Sequence, residues 1–367
     1  MNSILDPAIS GPQRLVLTDG IDPARHADAS LDAIGRRLAR HLGLPVTNRG
    51  TGNGDYAVPR TCLAGPVLRP ASPCHFLGGW VQDALHATKA IVHPLVGNPA
   101  CVPAQWPGGL SRDLAMATLP GFTVFSAEDA LAAGRQLLQR LPRLRVKQVP
   151  AEGGQGQAVA HDLSQLSAVL DGWGDHVPSG LVIEEDIAGI RTFSVGQTEV
   201  PGQTVAYVGV QSTTPNSRGE AAYGGSTLLF IRGTLHDLAA ARLPWLSRMI
   251  VARAAAFDQA ADRHLGLMAS RRNYDVALGR DSTGVARVAV LEQSWCVGGA
   301  TPAELLALEE FAAAPQSETV ITSTIERYGP DLAPPPDAFV LFDGCDPTHG
   351  AMLKYAVLGE GKAQEKI

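Results

Sequence analysis

Several common signatures are missing from this sequence, and each omission closes a class of function. The five cysteines (Cys62, Cys74, Cys101, Cys296 and Cys345) are odd in number, scattered and never spaced as Cys-x-x-Cys. That disfavours a disulfide framework and a zinc knuckle. Charged residues make up 18% and aromatic residues 5%, and 30 basic against 36 acidic side chains give a net charge of −6. The lack of a run of Lys or Arg to track a phosphate backbone argues against sequence-independent nucleic-acid binding. No apolar stretch approaches the roughly 20 residues of a membrane span, and residues 1–21 lack the basic start and apolar core of a secretory leader. The expectation is therefore a cytoplasmic protein with neither a membrane nor a nucleic-acid partner. No GxxxxGK[ST], HExxH, GxSxG or EF-hand spacing is present, and residues 154–159 read GxGxxV, one glycine short of a dinucleotide fingerprint.

Glycine and proline, in contrast, are plentiful, at 39 and 26 of 367 residues, with 45% hydrophobic residues. The chain is a loop-rich globular one, long enough for two domains or one subdivided fold. RLVLTDG at residues 14–20 reads as a strand, and the spacing of Leu31, Ile34, Leu38 and Leu42 as a following helix. Residues 47–78 read as loops with a short strand over 63–68, and residues 80–95 as a helix closed by Pro94. GFTVF followed by SAEDALAAGRQLLQRL predicts a strand, a Ser126 cap and an amphipathic helix. LRVKQV (144–149), a short helix over 163–170, and strands over 181–189, 192–197 and 204–214 continue an antiparallel pattern. Residues 211–226 read as a polar loop, residues 244–265 as a helix, and residues 274–278 and 285–292 as strands around the turn GRDSTG. Thr301-Pro302 starts a further helix.

Chemistry concentrates in one ordered constellation. Lys147 ends a strand just before Gly153, Gly154 and Gly156, where backbone amides can approach phosphate oxygens and the lysine can supply a charge. Glu184, Glu185, Asp186 and Ile187 follow at the end of the LVI strand. Asp275 and Glu292 lie on two strands joined by a tight turn; in a hairpin both carboxylates can face one side and share a hard divalent cation with nucleotide phosphates.

In that order, the constellation resembles the ATP-grasp superfamily over roughly residues 110–310, and a closer kinship is expected with a bacterial family described only as ATP-grasp-like. The resemblance implies an α/β (α+β) fold: a small N-terminal domain (1–110), a glycine-flap and hinge subdomain (111–190) and a C-terminal antiparallel-sheet subdomain carrying the metal site (191–367). It implies ATP and Mg²⁺ as cofactors. Lys147 would bind phosphates, Gly153, Gly154 and Gly156 would form the flap, and Glu184, Glu185 and Ile187 would form the adenine hinge. Asp275, Glu292 and Ser294 would hold the metal, and Arg271 or Arg272 would face the reaction intermediate. The implied reaction is ATP-dependent ligation of a carboxylate to an amine or other nucleophile through an acyl phosphate. Alternatives on the same fold are a nucleotide-responsive binding protein without catalysis and a small-molecule kinase. The implied partner is a small-molecule substrate, and a homodimer is allowed.

Three positions depart from the family pattern. Ser294 replaces its metal-binding Asn, Arg191 stands where a ribose-binding carboxylate is expected, and Arg112 is the nearest cation to an expected earlier phosphate lysine. Other features have plainer readings. Cys296, with no neighbouring His, reads as a small buried hydrophobe. The seven-residue spacing of His86 and His93 around Lys89 would place them on one helical face without an i, i+4 pair. STTPNS (212–217) reads as a turn cluster, or as a substrate loop facing the flap.

Overall fold

A computed structural model describes residues 12–17, 20–47, 54–151 and 155–359. Strand β1 (Arg14–Leu17) and helix α1 (His26–Leu42) form where apolar spacing predicts them. Leu31, Ile34 and Leu38 are buried on one helical face. Strands β2 (Val46–Thr47) and β3 (Asp55–Val58) pair in parallel on either side of β1. Strands β4 (Leu63–Ala64) and β5 (Gly79–Val81) pair in parallel further on.

The helix expected over residues 80–95 is not formed. Trp80 belongs to β5, and two single turns of 3₁₀ helix follow, Ala84–Ala87 and Lys89–Val92. Asp83 accepts a hydrogen bond from the Leu85 N–H and Thr88 from the Ala90 N–H. These short polar side chains offer the backbone a local alternative to a continuous helix. His86 and His93 consequently do not share a helical face.

The next unit is a four-stranded antiparallel sheet with two helices. After helix α2 (Leu110–Leu114) come β6 (Gly121–Val124), α3 (Ala127–Leu138), β7 (Leu144–Gln148), β8 (Gln157–Ala160), α4 (Leu163–Gly172) and β9 (Leu181–Glu185). The sheet order is β6-β9-β7-β8. Ser126 caps α3, as its position predicts, and Asp162 caps α4, both by accepting from backbone N–H groups. Val146, Ile183, Ala133 and Leu166 join sheet and helices in one core.

The remaining chain builds an eight-stranded sheet. Its elements are β10 (Ala188–Val200), β11 (Gln203–Pro215), β12 (Ala221–Arg232), α5 (Leu235–Ala240), α6 (Trp245–Leu265), β13 (Met268–Ala269), β14 (Arg271–Arg280), β15 (Ala286–Ser294), α7 (Thr301–Ala313), β16 (Thr319–Tyr328), β17 (Phe339–Asp346) and β18 (Gly350–Leu358). The order is β15-β14-β10-β11-β12-β16-β18-β17, while β13 pairs with β5. The polar loop expected over 211–226 is instead the tip of a long hairpin. Strands β11 and β12 stay paired to Pro215 and Ala221, with a bulge after Ser212. Thr213 and Thr214 are β-branched, and their polarity reflects an exposed arm rather than a loop.

Strand alternation divides this sheet into two faces. Val195, Val208, Tyr274 and Val276 pack with Ile250, Ala254 and Phe257 of α6. On the other face Tyr207, Leu228 and Phe230 pack with Leu305 and Phe311 of α7 and with Leu31 and Leu38 of α1. Arg271, Asn273 and Asp275 point to this second face. Among the described residues, no helix is long and apolar enough to cross a membrane.

Candidate functional site

The hairpin of β14 and β15 sets the floor of the site. Asp275 lies directly opposite Glu292, and Asn273 opposite Ser294, so all four side chains share one face. Gln211 Nε2 donates to Asp275 Oδ1 at 2.8 Å, and Asn273 Nδ2 donates to the same oxygen at 3.0 Å. Burial first, and then the facing Glu292 charge, lift the Asp275 carboxyl to about 7. Lys89 Nζ lies 2.9 Å from Glu292 Oε2.

The four-stranded sheet supplies the opposite wall. Lys147 is buried on β7, 2.5 Å from Glu184 Oε1 on the adjacent β9, and His93 Nε2 lies 2.8 Å from Glu184 Oε2. Burial alone would raise the Glu184 carboxyl, but Lys147 and His93 overcome it and hold the group down at about 2. Gly156 adopts φ +62, and a Cβ there would meet Ala151 Cβ at 2.6 Å and Gln148 Oε1 at 2.9 Å. Only glycine fits that turn without displacement. Gly153 and Gly154 lie outside the described residues. At the root of this glycine segment the Ala151 carbonyl accepts a hydrogen bond from Lys89 Nζ at 2.6 Å. Lys89 therefore touches both walls, the flap base through Ala151 and the floor through Glu292.

The acidic run at the strand end is not a solvated face. Glu185 is buried with Oε2 lacking a hydrogen-bond partner, and its carboxyl is raised mainly by burial. Asp186 is clamped by Arg143 at 2.6 Å and Arg145 at 2.5 Å. Ile187 packs with Leu119, Ala277 and Ala289, joining the end of β9 to the β14–β15 hairpin.

The arginines do not sit where the resemblance implied. Arg271 is buried, and all three of its guanidinium nitrogens are engaged. Nε and Nη2 donate to Glu304 at 2.8 Å, and Nη1 donates to the carbonyls of Ser294 and Cys296. Arg272 projects from the other face of β14, where it pairs with Asp258 and Asp262 of α6 at 2.8 Å. One residue along a strand reverses the side-chain direction, so Arg272 cannot share the Asp275 face. Arg112 is exposed on α2; Lys89 is the cation upstream of Lys147 that reaches the carboxylate pair. Arg191 is exposed, with its guanidinium 5.3 Å from the centre of the Phe193 ring.

Lys147 thus meets Glu184 on one sheet, Asp275, Glu292 and Ser294 share one face of the other, and Lys89 touches both Ala151 and Glu292. Lys89, His93, Gln211 and Asn273 join them without having been singled out as ligands. The signal for the first two was the DALHATKAIVH stretch, where two histidines flank a lysine. Asn273 shares the strand alternation that places Asp275. The donor set fits Mg²⁺ with a nucleotide. Two carboxylates face each other across the hairpin, and Mg²⁺ commonly takes one or two carboxylates plus substrate phosphates.

The described architecture has counterparts among solved structures. N5-carboxyaminoimidazole synthetase from Staphylococcus aureus, complexed with ADP, aligns with a TM-score of 0.53 at 11% identity, over 100% of this chain and 98% of that one. The biotin carboxylase domain of 2-oxoglutarate carboxylase from Hydrogenobacter thermophilus, a dimer in complex with MgADP and bicarbonate, aligns with a TM-score of 0.54 at 11% identity, over 94% and 86%. D-alanyl-alanine synthetase A from Vibrio cholerae aligns with a TM-score of 0.51 at 12% identity, over 84% and 95%. At such identities the likeness is one of fold, and the fold is ATP-grasp-like. Among curated proteins nothing matches. The family model described as protein of unknown function, DUF3182, matches residues 15–356, nearly the full chain, and the chain belongs to that family.

Proposed function

We propose that this chain binds ATP with Mg²⁺ between the four-stranded sheet and the β14–β15 hairpin, and that it uses the nucleotide to activate a carboxylate for attack by an amine or another nucleophile. The observation that carries this reading is Lys89, which reaches the root of the glycine segment and Glu292 at once. A cation held there, with Lys147 on the neighbouring wall, can accompany phosphates lying over paired carboxylates. In this reading Asp275 and Glu292 hold the metal, which supplies charge neutralisation at the phosphates. Lys147 and Lys89 bind phosphate oxygens, and Gly156 lets the backbone close over them. Glu184 is held by Lys147 and His93, leaving backbone groups at Glu185 and Ile187 to meet the adenine edge. Transfer of the terminal phosphoryl group to a substrate carboxylate gives an acyl phosphate and ADP. The nucleophile then forms its bond to the acyl carbon as phosphate departs.

Melting of the purified protein with MgATP tests the reading. A stabilising shift is expected, reduced in Lys147→Ala and Lys89→Ala; no shift in the parent protein sinks it. A second reading, nucleotide binding without ligation, draws on Arg271 and Arg272, both engaged away from the carboxylate pair. The two readings separate on whether ADP forms with a panel of small carboxylates and amines, and whether hydroxylamine traps an acyl phosphate.

A further inference from the structure

Proton counting at Tyr207 points to an unassigned metal ligand. The Tyr207 hydroxyl lies 2.7 Å from Glu304 Oε1 and 3.0 Å from the Asn273 side chain, but it carries one proton. Glu304 is wholly buried and accepts from Arg271 and from the Thr198 hydroxyl, which is bonded to Oε2 at 2.8 Å. Beside a permanently charged guanidinium it is an acceptor only. The shorter contact, to a carboxylate, takes the Tyr207 proton. The hydroxyl oxygen must then accept from Asn273, which requires the amide nitrogen to face Tyr207. A half-turn of the amide exchanges oxygen and nitrogen at no packing cost. The amide oxygen then faces Asp275 Oδ1, in a contact of 3.0 Å. Asp275 Oδ1 already accepts from Gln211 Nε2, whose other proton serves Ser194 Oγ at 2.8 Å. No neighbouring side chain is left to donate between the two oxygens, which a proton on Asp275 itself or a divalent cation in its place would bridge.

We propose that Asn273 supplies the neutral oxygen ligand of the metal site, so that in this chain the amide has moved across the hairpin from the β15 position, Ser294, to its strand partner on β14. The proposal rests on the nucleotide and metal reading above. It removes the difficulty posed by Ser294. Asn273 and Ser294 are direct partners in the hairpin, so either position points an oxygen toward the same pair of carboxylates. The Tyr207–Glu304–Arg271 network then orients the Asn273 amide, as outer hydrogen bonds orient metal ligands.

Titration of Mn²⁺ by electron paramagnetic resonance, with ADP present, tests this on the full chain without relying on turnover. Asn273→Ala is expected to weaken Mn²⁺ binding about 10-fold or more, and Ser294→Ala to leave it unchanged. The double variant Asn273→Ala/Ser294→Asn is expected to recover most of the loss, which a merely structural amide donor would not do. Undiminished binding by Asn273→Ala overturns the assignment, as does a double variant no better than Asn273→Ala. Should Asn273→Ala fail to fold, Ser294→Ala decides alone: unchanged affinity supports the assignment and a comparable loss overturns it. A parent protein that binds no Mn²⁺ with ADP sinks the nucleotide and metal reading together with this one, whereas parental binding that Asn273→Ala retains sinks this one only.

Discussion

The start and the middle of one face of β14 both carry charged residues and behave as opposites. At the start of the strand Arg271 and Glu304 form a buried pair in which every guanidinium nitrogen has a partner and Glu304 also accepts from Thr198 and Tyr207. Four residues on, Asp275 and Glu292 face each other, with the neutral amides of Gln211 and Asn273 against Asp275 and Lys89 beside Glu292 alone. Both clusters are polar and lie on the same side of the sheet, so polarity does not separate them. Saturation does. A cluster whose hydrogen-bonding capacity is spent internally fixes α7 against the sheet; one left short of positive charge recruits it from a ligand.

Breaking the saturated end produces the largest effect on stability. Glu304→Ala leaves a buried guanidinium unpaired and is expected to cost about 3–5 kcal/mol, read as a lowered denaturant midpoint. A near-neutral result would contradict the structural role of the pair. Lys147→Met tests the same logic on the other wall, where Glu184 would keep only His93. Roughly half that loss is expected, because Glu184 keeps its hydrogen bond to His93. Unlike Glu304→Ala, it is also expected to reduce the nucleotide-induced melting shift.

This contrast also explains what the sequence disclosed. The β14–β15 hairpin was legible because alternating apolar residues flank the turn GRDSTG, and Lys147 because a strand ends in glycines. The choice between Arg271 and Arg272 was not, since adjacent strand residues face opposite ways and nothing local says which face is open. Glu304 lies in TPAELLAL, where a helical glutamate reads as a solvated charge; its burial arises only when α7 docks over Arg271. Lys89 and His93 sit on 3₁₀ turns that carry no hydrophobic period, so their convergence on Glu292 and Glu184 depends on tertiary packing alone. The three strands after residue 313 lie beyond the constellation, and the sequence reading did not place them.

The unsaturated end gives a smaller effect, opposite in direction. With Asp275 raised to about 7 by burial and by Glu292, the folded state holds a proton that the unfolded chain has lost above its ordinary 3.8. Its contribution to stability is present below pH 3.8 and falls away as pH rises through about 7. Asp275→Asn is therefore expected to raise stability at pH 7.5 by roughly 1 kcal/mol or more while abolishing Mn²⁺ binding. A variant less stable than the parent at that pH would show that Asp275 belongs with the structural cluster.

The smallest effect is expected at the far side of the same sheet, where β18 approaches the start of α1. Lys354 pairs with Glu326 at 2.8 Å and also lies 3.4 Å from His26 Nδ1. Burial, then Lys354, lowers the His26 imidazole to about 4, against the opposing pull of Glu326 and Asp346. Between pH 4 and 6.5 the unfolded chain binds a proton at this histidine that the folded chain refuses, so stability rises with pH across the window and is lost on acidification. The loss at pH 5 should be roughly 1 kcal/mol once partial exposure is allowed for. His26→Gln should flatten the melting temperature between pH 5 and 7, whereas Asp275→Asn should steepen its rise with pH over that range. If both variants move the profile in the same direction, the pH dependence does not come from these two groups, and the distinction between a saturated and an unsaturated end loses its support from titration.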